Sequence, residues 1–335
     1  MSHRPACRGR LTSAVATTLA LLLPLLAAAQ ASAQGGTPDR HRIGLYVSDL
    51  YSLDLMRDTF GASFWVWAVG PDSALALQTM EFANADQVTV SLESTVPRGA
   101  VSWSQRKVTG TFRQAWDLRN FPLDRHSLEI LLEEGVQEEG SFAYEADLAN
   151  SGYGLQAPVE GWRVAGMRVE VVTATYATSF GDPAASSPES RFSRLRAVLQ
   201  LERVDYTGFL KLTAALYAGV LVCAIGCLMH VTATTFSARI SLLVASLFSL
   251  VFSMRAASLT LGSEHGATLI DKLHMVGLTY VVVVTAVTVL VRSRLEGATE
   301  GMPALIRLDR WSCLGAAGLF VLANIGLMLQ AAHRG

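Results

Sequence analysis

The residues of this chain that could do chemistry are few. Glu133, Glu134, Glu138 and Glu139 crowd one short stretch. Carboxylates so close could hold a cation such as calcium through their oxygens, titrate near neutral pH because they are clustered, or form a plain solvated loop. Arg255 stands inside an apolar run, where a charge needs water or a partner. The choice there lies between a wet path and an ion pair with an acid such as Glu264. Ser246, Ser249 and Ser253 share another face of the same run, roughly opposite Arg255 at about 100° per residue. Small hydroxyl side chains suit a water-filled path and also suit helix–helix contact in lipid. Bond-making chemistry is harder to find. Gly152-Tyr153-Gly154 is too short for a nucleotide loop, and neither His-Glu-x-x-His nor Gly-x-Ser-x-Gly occurs. The seven histidines show no metal-ligand spacing. His126, just past Asp124, reads as a structural loop residue. Cys223, Cys227 and Cys313 read as buried apolar cysteines. The expectation is a protein that is not an enzyme and takes no cofactor or metal.

Two halves of different physics must position these residues. Of 335 residues, 51% are hydrophobic and only 16% charged, against about 25% charged in an ordinary soluble domain. The 27 basic and 28 acidic side chains nearly cancel, so nothing suggests nucleic acid as a partner. Residues 34–204 alternate like β-strands: Phe64-Trp65-Val66-Trp67, residues 101–112, 128–134 and 194–201. Turn signals recur at Gly70-Pro71-Asp72, Pro97-Arg98-Gly99 and Gly181-Asp182-Pro183. Many short strands without long helices predict an antiparallel β-sandwich. Residues 205–335 are nearly all apolar, with helices expected near 206–229, 238–260, 268–291 and 311–330. Each is long enough for a bilayer, which takes about 20 residues. The predicted fold class is an all-β sandwich outside the membrane followed by a four-helix transmembrane bundle.

Residues 1–33 read as a signal peptide. Arg4, Arg8 and Arg10 precede an uncharged stretch, and Ala31-Ser32-Ala33 offers a small-x-small cleavage pattern. The loop carrying Arg292, Arg294, Arg307 and Arg310 then belongs in the cytoplasm. No cysteine falls in the exported polar half, so no disulfide is expected there.

The stretch Trp116-Asp117-Leu118-Arg119-Asn120-Phe121-Pro122-Leu123-Asp124 resembles the signature loop of the pentameric ligand-gated ion channels, the Cys-loop receptor superfamily. Its core is Phe-Pro-x-Asp. Gln114 and Leu128 occupy the places of the paired cysteines of animal members, as in prokaryotic members without the disulfide. Phe192-Ser193-Arg194, Arg203, Phe236-Ser237-Ala238-Arg239 and Ile270-Asp271 match in order. The likeness covers roughly residues 42–331. It departs at the first apolar helix, which has no proline between Tyr206 and Met229, and near Trp67, where Trp-x-Pro is missing.

This resemblance implies a homopentamer in a bacterial inner membrane with a periplasmic β domain. A small-molecule or ion agonist would act between neighbouring β domains, and inorganic ions would pass through a central pore. The family register places Ser241, Ala245, Phe248, Phe252 and Arg255 along that pore. Phe248 and Phe252 would form a hydrophobic constriction able to close by dewetting. Ser237 and Ala238 stand where cation channels carry an acidic ring, which implies anion preference or weak selectivity. The ligand box would draw on Phe82, Tyr176 and Phe180 on one side and Trp65, Trp67 and Trp103 on the other. For each Trp, core packing is an equal reading. Asp124, Arg203, Pro122 and Asp54 would couple the β domain to the pore. The alternative is a non-conducting receptor of the same fold; with residues 292–310 as its only long cytoplasmic loop, it would have no output domain.

Overall fold

A computed structural model describes residues 37–183, 185, 187–261, 266–296 and 302–334. The expected signal peptide, and Glu264 as a partner for Arg255, lie outside the described residues.

Among the described residues, ten strands form two sheets. One has the order β4 (Ala85–Arg98), β5 (Val101–Arg113), β2 (Thr59–Gly70), β1 (Asp39–Asp54), β7 (Phe142–Ala146), with β8 (Gly152–Tyr153) also on β1. The other has the order β3 (Met80–Phe82), β6 (Arg125–Glu134), β10 (Ser190–Arg203), β9 (Trp162–Tyr176). Period-two alternation decides which face is buried. Phe64 and Val66 of β2, Val108 and Phe112 of β5, and Leu128, Ile130, Leu132, Leu195 and Leu199 of the opposite sheet are fully buried in one cluster. The two sheets therefore pack inner face to inner face.

The result departs from the antiparallel expectation at one edge. β7 and β8 pair with β1 in parallel, because the chain crosses from one sheet to the other after β6 before reaching that edge. The strands are also long, with 16 residues in β1 and 15 in β9; register shifts between Val47 and Asp49 and at Gln200/Leu201 interrupt the ladders. Gly70-Pro71-Asp72 leads into a short helix, α1 (Ser73–Gln78), whose first turn is capped by the Asp72 carboxylate on Leu75 N at 3.0 Å. The β4–β5 hairpin turns through Gly99 at φ 70°, a left-handed backbone open to glycine without a Cβ penalty.

Four helices follow among the described residues: α2 (Thr207–Leu228), α3 (Phe236–Leu261), α4 (Leu269–Glu296) and α5 (Met302–Arg334). All four are long and apolar enough to cross a membrane, the layout of a multi-pass membrane protein. Ile270-Asp271 belongs to a capping box that starts α4. Asp271 accepts from Thr268 N at 2.9 Å and from its hydroxyl at 2.8 Å, and Asp271 N donates back to Thr268 Oγ1 at 3.2 Å. Helix α5 begins well before the apolar run at residue 311, and its Asp309 turns inward. Arg239 of α3 is fully buried and holds Asp309 with two hydrogen bonds of 2.8 and 2.9 Å. The same guanidinium donates to Met229 O at 3.0 Å and to Cys313 Sγ at 3.3 Å.

Candidate functional site

The loop between β5 and β6 gathers at the end of the sandwich nearest the helices. Asp124 is buried there, 1% exposed at its side chain. Arg203, at the end of β10, holds it edge-on: Nε to Oδ1 at 2.8 Å and Nη2 to Oδ2 at 2.9 Å. His126 Nε2 meets Oδ2 at 2.7 Å. Burial pushes the Asp124 carboxyl up, but the hydrogen bonds from His126 and Arg203, with the charge of Arg203, outweigh it and leave the group below its ordinary value. Aromatic rings flank the pair. The guanidinium of Arg203 lies 4.0 Å from the Trp162 ring centroid and 4.6 Å from that of Phe121. Trp116 and Trp162 stand edge-on to His126 at 4.9 and 5.2 Å.

The loop also bridges the two halves. Phe121 is buried in the sandwich cluster, with the buried Pro122 after it, while Leu123 packs on the helical cluster. Ala257 of α3 and Ile270 of α4 are in turn buried in the sandwich cluster. Trp116 Nε1 donates to the backbone oxygen of Asp54 at 3.1 Å. The Asp54 carboxylate itself accepts from Met56 N and Arg57 N at 2.9 and 3.0 Å, fixing the β1–β2 turn. The four residues singled out for coupling thus meet at one junction. Trp162 belongs with them and carried no sequence signal beyond its aromatic type.

The aromatic candidates divide into three places. Tyr176 and Phe180 join Phe192 in a triangle of ring centroids 5.4, 5.9 and 6.2 Å apart. The Tyr176 hydroxyl donates to Glu133 Oε1 at 2.7 Å, and Arg194 Nη2 donates to that hydroxyl at 3.2 Å. Burial and the bond to Glu133 push the Tyr176 phenol up. Phe180 is 64% exposed and has φ 51°, a strained conformation for a side chain of this size. Trp65, Trp67 and Trp103 lie half-buried on the outward face of the other sheet, away from this triangle. Phe82 turns inward instead, edge-on to Phe64 at 6.0 Å and 5.5 Å from the Arg106 guanidinium.

Trp67 is held in place: its ring lies across Gly44, and Nε1 donates to Asp147 Oδ2 at 3.0 Å. A Cβ on Gly44 would stand 2.3 Å from that ring. Gly44→Ala is therefore expected to cost about 1–3 kcal/mol through overpacking. Thermal unfolding of the full-length protein checks this, and an unchanged melting point would show that the ring moves freely.

The acidic stretch is mostly spoken for. Glu133 and Glu134 are buried. Glu133 pairs with Arg194 as well as Tyr176. Glu134 accepts from Thr79 Oγ1 at 2.6 Å and from Val136 N and Gln137 N. Glu139 takes Thr173 Oγ1 at 2.7 Å and Arg191 at 3.4 Å, and Glu138 is exposed. The pairing of Arg194 with Glu133 was missed in the sequence; the register of β10 on β6 sets the two opposite each other, and that register becomes visible only once the strands are paired.

Helix α3 separates its two stripes. Ser249 donates to Ala215 O at 3.0 Å and Ser253 to Leu212 O at 3.1 Å, both on α2. Ser253 also meets His274 Nε2 of α4 at 2.9 Å. Ser246 is buried and bonds Leu242 O within its own helix. The serine stripe is thus sealed into the bundle. Ser241, Ala245, Phe248, Phe252 and Arg255 all lie on the exposed side, with Phe248 59% and Phe252 72% exposed. No protein-family profile matches the chain, and no curated protein matches it.

Proposed function

We propose that this chain is one subunit of a homopentameric ligand-gated ion channel of the Cys-loop receptor superfamily, with α3 lining the central pore. The observation that carries this reading is the two-sidedness of α3. Ser249 and Ser253 are used up against α2 and α4, while its outward face presents Arg255 beside Ser241, Ala245, Phe248 and Phe252. Exposed leucines are at home in lipid; an arginine needs water or a partner. Five such faces turned toward one axis would supply that water.

Two further features support the reading. Tyr176, Phe180 and Phe192 lie on one sheet and Trp65, Trp67 and Trp103 on the other. One chain does not bring both groups to one ligand; abutting copies would, which supports a small-molecule or ion agonist acting between neighbours. The junction at Asp124 and Arg203 would then pass motion from that site to α3 through Leu123, Ala257 and Ile270. The expected signal peptide and the basic loop at Arg292, Arg294, Arg307 and Arg310 support a periplasmic β domain on a bacterial inner membrane.

Recording from purified protein in a planar bilayer tests the proposal. Unitary currents are expected, with reversal potentials in asymmetric chloride that indicate anion preference or weak selectivity, since Ser237 and Ala238 line the exposed inner end and Arg239 is neutralised by Asp309. Replacing Phe248 and Phe252 by Ser is expected to raise current in the absence of agonist, because a polar constriction stays wet. A protein that conducts nothing, imaged as isolated subunits, refutes the channel.

A further inference from the structure

Strand β1 starts with Arg40 out, His41 in, Arg42 out and Ile43 in, so its pleat carries an imidazole into the core. The place is the end of β1 opposite Asp54 and the junction with the helices. His41 is 2% exposed. Its ring lies flat on that of Phe142, the first residue of β7, with centroids 4.3 Å apart and planes 12° apart. Its Nδ1 has no hydrogen-bond partner among the described residues. That nitrogen abuts Gly70 of β2, where a Cβ would stand 2.4 Å from it. A neutral ring suits this place. A charged ring would carry an N–H at Nδ1 with nothing to accept it, and a buried, unsatisfied charged donor is costly.

The surroundings give the charged ring somewhere else to go. Burial pushes the imidazole below its ordinary value, against the pull of Asp39, Asp72 and Glu134. Asp39 and Asp72 are exposed, the one two residues before His41 and the other two residues past Gly70. Glu134 of β6 is buried and already accepts from Thr79, Val136 and Gln137. Tyr144, in register with His41 on β7, and Arg106 of β5 also face inward here; β2 brings only Val69 and Gly70. Strand β7 is the last in its sheet and pairs there with β1 alone, from Asp39–Phe142 to Ile43–Ala146.

We propose that His41 is an acid-sensitive latch on this sheet edge: neutral, it stacks on Phe142 and holds β7 to β1; protonated, it leaves the core toward Asp39 and Asp72 and frees β7. The sign follows from the weaker hold on the proton in the folded state. The latch is closed above the unfolded value of about 6.5 and opens as pH falls below it. The proposal does not rest on the channel reading.

The test is backbone hydrogen exchange of the full-length protein in detergent at about pH 8 and about pH 5, corrected for intrinsic exchange rates. Peptides covering Phe142–Ala146 are expected to lose protection by up to about tenfold per pH unit below the unfolded value, while those of β10 keep theirs. His41→Phe keeps a stacked ring that cannot titrate and should hold β7 equally at both pH values. His41→Gln, uncharged and unstacked, should show weaker protection of β7 with no pH dependence, and it carries the test if His41→Phe does not fold. Unchanged protection of β7 in the parent overturns the proposal. So does a loss shared equally by β10, which would be general acid unfolding, or the same acid loss in a His41 variant as in the parent.

Discussion

Asp124→Ala is expected to destabilise the protein by about 3–5 kcal/mol, the cost of stripping one partner from a buried ion pair. The estimate applies because both side chains are largely shielded, at 1% and 11% exposure, and because Arg203 is held between the rings of Trp162 and Phe121. Removing both charges should be milder. Asp124→Ala with Arg203→Met is expected to recover much of the loss, and a double-mutant cycle on thermal unfolding measures the coupling. The pH dependence has a definite sign. The carboxyl is held below its ordinary value, so its contribution is complete above the unfolded pKa of about 4. It fades as pH falls through the lower folded value. The gap between parent and Asp124→Ala should therefore shrink in acid. In channel recordings, an Asp124→Ala protein that assembles yet responds to agonist like its parent would remove the coupling role.

The second large effect is expected at Arg239. This side chain is fully buried among the helices, 5% exposed at its partner Asp309, and it draws on α5, on the backbone of Met229 and on Cys313. Arg239→Ala leaves Asp309 as an uncompensated buried charge, a loss of about 3–5 kcal/mol. Helix α5 is expected to loosen from α3, seen as increased protease sensitivity of the C-terminal segment and a lower melting point. Arg239→Met with Asp309→Leu should restore much of the packing, since an apolar pair of similar volume is often neutral or better. Equal stability of Arg239→Ala and the parent would mean that Asp309 finds water and that the pair is not sealed.

The junction between the halves was legible residue by residue, because Phe121, Pro122, Asp124 and Arg203 sit in a motif whose order along the chain survives folding. Its surroundings were not. Trp162 stacks on Arg203 from the far end of β9, and the partners Arg194 and Asp309 lie 61 and 70 residues from Glu133 and Arg239. Pairings at that separation depend on strand register and helix rotation. The ligand aromatics show the same divide: β2 and β5 alternation put Trp65, Trp67 and Trp103 on one outward face, yet Phe82 turned into the core against Phe64.

The chain alone determined its two-part construction, since alternation with period two and apolar runs of membrane length are local properties of hydropathy. It could not choose between the stripes of α3. In a lipid setting an apolar residue is equally content inside the bundle or outside it, so hydropathy gives a helix no inward direction. Tertiary structure made the choice through polar contacts: the carbonyls of Ala215 and Leu212 and the ring of His274 take up the serines. That rotation turns Phe248, Phe252 and Arg255 outward.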